Sequence, residues 1–199
     1  MKLNEILYRE IATEFLNGNN RFTQKGLSEQ LGISIGNVNA SIKRIEGINA
    51  VQLDKKSFRV IAFDKLLIYW ATHRRLDNDI VYTAHSLLSV KEVEDSMPNG
   101  ILFTAYSAYK KIYHTAPADY GEVFVYATEA SLEEVKRRFH KQGKFPNIFV
   151  LKADKALSNV IVTTNNECVP IPNVFVDLWN IKTWYAKEFA DALSKKLFE

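Results

Sequence analysis

Only one cysteine, Cys168, stands in the 199 residues, so no internal disulfide can form and no cysteine metal cluster can be assembled. A lone thiol of this kind reads as a small buried or loop hydrophobe. Long apolar runs are missing too. The longest, around residues 66–71 and 147–151, fall well short of the roughly 20 residues needed to cross a bilayer. No membrane-spanning helix and no membrane partner are expected. Glu5, Arg9, Glu10 and Glu14 interrupt the start of the chain where a secretory leader would carry an unbroken apolar stretch. A cytoplasmic protein is therefore expected. Glycine-rich phosphate loops, a GxSxG elbow and paired histidines are absent as well, and the chemistries built on them find no motif here. His73, His85, His114 and His140 are scattered and read as surface or hydrogen-bonded side chains. No catalytic residue, metal or cofactor is expected.

What is present suits a folded, non-enzymatic chain. With 47% apolar and 12% aromatic residues, it can bury one good core or two small ones. Two domains are expected, over 1–63 and 77–199, joined by a helix at 64–76. The charge is lopsided. Residues 1–63 hold nine basic and six acidic side chains, 9 − 6 = +3, which leaves 17 of each sign in 64–199. If Glu5, Glu10 and Glu14 share one side of a first helix, the opposite side is more basic still, which points to an anionic partner.

Leu3, Ile6, Leu7, Ile11, Phe15 and Leu16 recur at helical spacing, and residues 17–20, Asn-Gly-Asn-Asn, stop that helix. Residues 21–23 make a brief extended stretch, after which Thr23 caps a helix over Gln24–Leu31 that buries Leu27 and Leu31. Residues 32–34 form a glycine-containing turn. Ser34 then caps a third helix whose Ile35, Val38, Ile42 and Ile45 form one apolar stripe. Gly36, Asn37, Asn39, Ala40, Lys43 and Arg44 must face outward or flank it. Two helices joined by such a turn form a helix-turn-helix, whose second helix can enter a major groove. Small residues at its start permit close approach, Asn37, Asn39 and Ser41 suit base edges, and Lys43 and Arg44 suit phosphates. The plain alternative is a helical hairpin with a solvated polar face.

Residues 50–53 and 57–61 read as short strands joined by a hairpin turn at Asp54, Lys55 and Lys56. In this order, the segments FTQKGLSEQLGISIGNVNASIKRI and VQLDKKSFRV resemble winged helix-turn-helix domains. That resemblance implies a third helix in the major groove, with the wing against backbone or minor groove. It makes Lys55, Lys56 and Arg59 phosphate or minor-groove contacts. The alternative for Lys55 and Lys56 is a solvated hairpin tip.

From residue 63 an apolar helix ends on Arg74 and Arg75, and strand and helix patterns then alternate. Strands are expected at 80–84, 101–103, 122–126 and 147–151, with a fifth at 160–163. Helices are expected after Ser89, over 106–113, over 132–140 behind a Ser131 cap, and over 183–197 with Trp184, Phe189, Leu193 and Leu197 buried. An α/β domain with a small mixed sheet follows, so the whole chain reads as α+β. Asp177 reads as a helix or turn cap. The cation run at 136–144 reads as a solvated helix end or as a second phosphate-contacting patch.

GILFTAYSAYKKIY, EVFVYA and VPIPNVFVDLWN, placed after the amino-terminal segments, resemble the AbiEi-type antitoxins and related regulators. That likeness implies a nucleotidyltransferase-like carboxy-terminal domain and a repressor, often of its own operon. Working nucleotidyltransferases carry a Gly-Ser turn followed by two metal-bridging carboxylates separated by one residue. Here the turn would be residues 104–107, without the glycine, and Phe124 stands where the acid after Glu122 is required. A sequence-specific regulator of double-stranded DNA, acting by promoter occlusion, is the leading expectation. A protein-interaction module using the winged helix comes second, and a nucleotidyltransferase last. The carboxy-terminal domain is expected to serve dimerisation, partner binding or ligand sensing.

Overall fold

The computed structural model describes residues 1–140 and 145–198. Among these the chain is α+β, with ten α-helices and two small sheets. It opens on α1 (Leu3–Leu16), β1 (Arg21–Phe22), α2 (Gln24–Leu31), α3 (Ile35–Glu46), β2 (Val51–Leu53) and β3 (Phe58–Val60). The three strands pair antiparallel in the order β1-β3-β2. On the core side of this sheet Phe22 stacks on Phe58 at 5.5 Å. Val38, Ile42 and Ile45 of α3 are wholly buried, each stabilising the fold by about 1.5–3 kcal/mol at most.

The rest of the chain runs through α4 (Phe63–His73), a 3-10 turn (Leu76–Asp79), β4 (Ile80–Ala84), α5 (Val90–Asp95), β5 (Ile101–Thr104), α6 (Ala105–Tyr113), β6 (Val123–Ala127), α7 (Glu129–Arg138), β7 (Ile148–Lys152), α8 (Lys155–Thr163), α9 (Ile171–Asn180) and α10 (Trp184–Phe198). Its sheet has the order β4-β7-β6-β5. β6 and β7 are parallel, joined by α7, while the outer pairs are antiparallel, so the sheet is mixed. Every residue of β5 and β6 is buried, which is why both read as unbroken apolar runs. α9 packs against α4, α6, α10 and α1. One set of buried side chains runs from Leu7 to Leu193, across residues 63 and 76 alike. No helix among the described residues is long and apolar enough to cross a membrane.

Several expectations need correction. Residues 160–163 are the end of α8, not a strand. Their β-branched side chains carry strand propensity, but Asp154 Oδ1 accepts from the Ala156 and Leu157 N–H groups at 3.0 and 3.2 Å and starts a helix. Thr128, not Ser131, caps α7; Ser131 sits at the third helical position and returns a hydrogen bond in a capping box. Trp184 is 74% exposed and Leu197 half-buried, while Phe189 and Leu193 are buried as expected, together with Ala186 and Ala190. Asp177 caps nothing. It lies inside α9, fully buried, at the centre of a polar junction.

That junction ties α1 to the larger sheet. Arg74, at the end of α4, donates from Nη1 to Glu5 at 2.9 Å and to Asp79, from Nε to Asp177 at 3.3 Å, and from Nη2 to the Tyr126 hydroxyl at 2.9 Å. Asp177 Oδ2 also accepts from Thr104, Tyr126 and Asn173 at 2.8, 2.9 and 2.8 Å. Arg9 forms a two-pronged pair with Asp154 at 2.7 and 2.8 Å. Burial pushes the Asp177 carboxyl up, against the pull of Arg74 and its hydrogen-bond donors. At Asp154 burial also raises the pKa, but the Arg9 hydrogen bonds and charge outweigh it and hold the group below its ordinary 3.8. Asp79 is likewise held low, with the amino-terminal ammonium and Arg74 overcoming its burial.

Candidate nucleic-acid interface

The geometry of the first 63 residues rests on local capping. Thr23 Oγ1 accepts from the Gly26 N–H at 3.0 Å, and a Cβ on Gly26 would meet that oxygen at 2.8 Å. An alanine there would collide with the cap. α2 ends on Gly32 at φ 64, in the left-handed region that glycine enters without steric cost. Ser28 Oγ then donates to the Ile33 carbonyl at 2.7 Å and draws the turn together. The Ser34 side chain accepts from the Asn37 N–H at 3.4 Å and opens α3.

On α3, Ser34, Ile35, Gly36, Asn37, Ala40, Lys43 and Arg44 are exposed and Asn39 is half-buried. Ile35, expected in the apolar stripe, is 56% exposed. Ile33, buried in the preceding turn, takes the core position at that end instead. Ser41, expected among the base-reading residues, is buried at 5% exposure. It lies against α1, where the Tyr8 hydroxyl donates to the Ser41 carbonyl at 3.1 Å. Burial pushes that phenol up to about 12. Packing against α1 closes Ser41 off from a duplex. The Asn39 amide donates to Gln24 at 3.0 Å, which links the exposed sides of α2 and α3. Gly36 has no atom within 4 Å of where a Cβ would stand, so nothing inside the protein requires it to be small.

The hairpin is bound to the end of α3. Asn49 takes a left-handed φ of 58, and the Ala50 N–H donates back to the Ile45 carbonyl at 2.9 Å. Asp54 N–H bonds to the Ser57 carbonyl at 2.8 Å and closes the turn, leaving Lys55 and Lys56 exposed. Across the sheet, Arg59 stands directly opposite both Arg21 and Gln52. All three are exposed, and Gln52 Oε1 accepts from Arg59 Nε and Nη2 at 3.2 and 2.7 Å.

The acids of this third are largely engaged elsewhere. Glu5 is buried on Arg74, Glu10 accepts from Gln30 at 2.6 Å, Glu29 pairs with Lys25 and Asp54 with Arg21. Among the described residues, Lys43, Arg44, Lys55, Lys56 and Arg59 form no salt bridge. The structure thus leaves exposed, at α3 and the hairpin, every predicted site residue except Ser41 and the half-buried Asn39. Two further residues join them: Arg21 through strand register, and Gln24 through its bond to Asn39. Sequence spacing gives no hint that Arg21 and Arg59 meet, because their meeting depends on the pairing of β1 with β3.

The second cation patch is different. Lys136, Arg137 and Arg138 pair with Glu133 or Glu134 within one turn of α7, as a solvated helix face does. Its remaining cations, Lys141 and Lys144, lie outside the described residues. Residues 104–107, expected as a turn, are the last residue of β5 and the first three of α6; Ala105 stands at φ 51, a backbone region that suits the missing glycine, and Ser107 is buried. Glu122 accepts a hydrogen bond from the Tyr185 hydroxyl, and Phe124 stacks on Phe149 at 4.5 Å. Among the described residues no group of three His, Cys, Asp or Glu side chains could hold a metal ion. Neither a protein-family model nor a curated protein matches the chain.

Proposed function

We propose that this chain is a double-stranded-DNA-binding transcriptional regulator in which α2, the turn and α3 act as a helix-turn-helix and β2–β3 acts as its wing. The observation that carries this reading is the outer side of α3. A glycine with open space around it stands on the same helix as two exposed cations without a salt bridge, Lys43 and Arg44. A glycine in the middle of a helix costs up to about 1 kcal/mol relative to alanine and less in the first turn, where Gly36 stands; no contact inside the chain explains it. Close approach by a partner from outside does. Lys43, Arg44, Lys55, Lys56 and Arg59 supply phosphate contacts, and Asn37 and Asn39 face base edges. Occlusion of a promoter is the mechanism, and autorepression in the manner of the AbiEi-type regulators is its extension.

A mobility-shift titration on the DNA upstream of the gene, against scrambled duplex, tests this. Asn37→Ala changes the preference between duplexes by about 1–3 kcal/mol, whereas Lys43→Gln weakens both alike. Equal binding to both duplexes, unmoved by either change, would reject the reading.

The exposed Ile35 favours a second reading, a protein partner on the same helix. On DNA an apolar side chain there would meet a thymine methyl. Ile35→Ser separates the two: loss of a captured protein with unchanged duplex binding supports the partner. We read the carboxy-terminal region as carrying no nucleotidyl transfer, because Phe124 stands in place of the second acid. Transfer of labelled nucleotide with magnesium, lost in Glu122→Ala, would overturn that.

A further inference from the structure

Arg21 and Arg59 stand directly opposite one another on the exposed side of the small sheet. Like charges in that arrangement destabilise a strand pair unless an anion compensates them. One carboxylate pairs with Arg21 alone. Asp54 Oδ2 accepts from Arg21 Nη2 at 2.6 Å, and the Arg59 charge also acts on Asp54. The guanidinium of Arg59 is itself held by a neutral partner, Gln52. Arg21 completes its hold on the turn by donating from Nε to Ser57 Oγ at 3.1 Å. The Arg21 side chain is 66% exposed and that of Asp54 is 32% exposed, and ion pairs this open are weak and exchangeable. A guanidinium fork fits phosphate oxygens as it fits a carboxylate.

We propose that Arg21 and Arg59 form a binding site for a duplex phosphate, and that Asp54 occupies Arg21 in the free protein as a built-in competitor that duplex must displace. This rests on the DNA-binding reading and adds a regulation of the same surface. Arg21 thereby becomes a contact residue, and Asp54 a brake on affinity rather than a part of the interface. The alternative is purely structural, with the Arg21–Asp54 pair serving only to shape the hairpin. The two differ in sign. A brake, once removed, tightens binding; a staple, once removed, loosens it.

The test uses the full chain and a random-sequence duplex, with the dissociation constant measured over a range of salt for the wild type, Asp54→Asn, Arg21→Gln and the double variant. Melting temperatures confirm that each is folded, and Asp54→Ser replaces Asp54→Asn if the latter is not. Asp54→Asn is expected to bind roughly two- to fivefold tighter at low salt, with the slope of log K against log salt steeper by up to about 0.9. Arg21→Gln weakens binding, and in its background Asp54→Asn yields no gain. A wild type that binds duplex while Asp54→Asn binds equally or more weakly overturns the brake and leaves the DNA reading standing. A wild type with no salt-dependent binding overturns both.

Discussion

Two regions of this molecule use the same side chains to opposite ends. At the junction between α1 and the larger sheet, Arg74 and Asp177 are fully buried and each is held by several hydrogen-bond partners. On α3 and the hairpin, Lys43, Arg44, Lys55 and Lys56 are exposed and, among the described residues, form no salt bridge. Saturation separates the roles. A buried charge whose partners are all in place holds elements together, and losing one partner leaves another uncompensated. An exposed cation without a carboxylate contributes little to the fold and is free to meet an anion from outside.

The sharpest way to break this contrast is at its buried pole. Arg74→Met strands Glu5 and Asp177, while Asp79 keeps the amino-terminal ammonium, and is expected to cost about 3–5 kcal/mol of stability by urea unfolding. A loss below about 1 kcal/mol would mean the junction is dispensable. Asp154→Asn leaves Arg9 without its two-pronged partner, and about 2–3 kcal/mol is expected at pH 7. Because the folded pKa of Asp154 lies below its ordinary 3.8, this stability is present above that value and lost as pH falls through the folded one. The variant should therefore differ less from wild type at pH 3 than at pH 7. Asp177, with its pKa raised, works the other way and is relieved by protonation. A pH-independent difference for Asp154→Asn would show that its ion pair with Arg9 is not the source of the stability.

At the exposed pole the signs of stability and binding separate. A Cβ at Gly36 meets nothing within 4 Å, so Gly36→Leu should hold stability level or raise it by up to about 0.5 kcal/mol while weakening duplex binding about tenfold, or 1.4 kcal/mol. Both quantities falling together would mark Gly36 as structural. The smallest effect belongs to Lys55→Gln with Lys56→Gln. Their stability is expected to stay within about 0.5 kcal/mol of wild type, and the salt slope to flatten by about 0.9 for each phosphate that the pair no longer neutralises.

What is legible in the sequence is local. Thr23, Ser34 and Ser89 cap helices through bonds to residues three positions on, so residue type and spacing reveal them. The hairpin at Asp54 is equally short-range. The junction is not legible, since Arg74 and Asp177 lie 103 residues apart, and no periodicity links them. Asp177 reads as a cap because a carboxylate inside an apolar run has few other uses until its buried partners are known. α8 is hidden by its β-branched residues, although Asp154 supplies a cap signal upstream. Ser41 and Ile35 show the limit of a helical stripe: spacing gives its direction, but neighbours such as Tyr8 and Ile33 decide how wide it is and where it ends. Arg21 enters the site only through strand pairing.

Hydrogen-exchange footprinting of the full chain with and without duplex tests the central claim most directly. Protection is expected over residues 34–44 and 54–59, fading as salt is raised, with the junction unchanged. Protection confined to other parts of the chain, or none at a concentration that saturates binding, would contradict it.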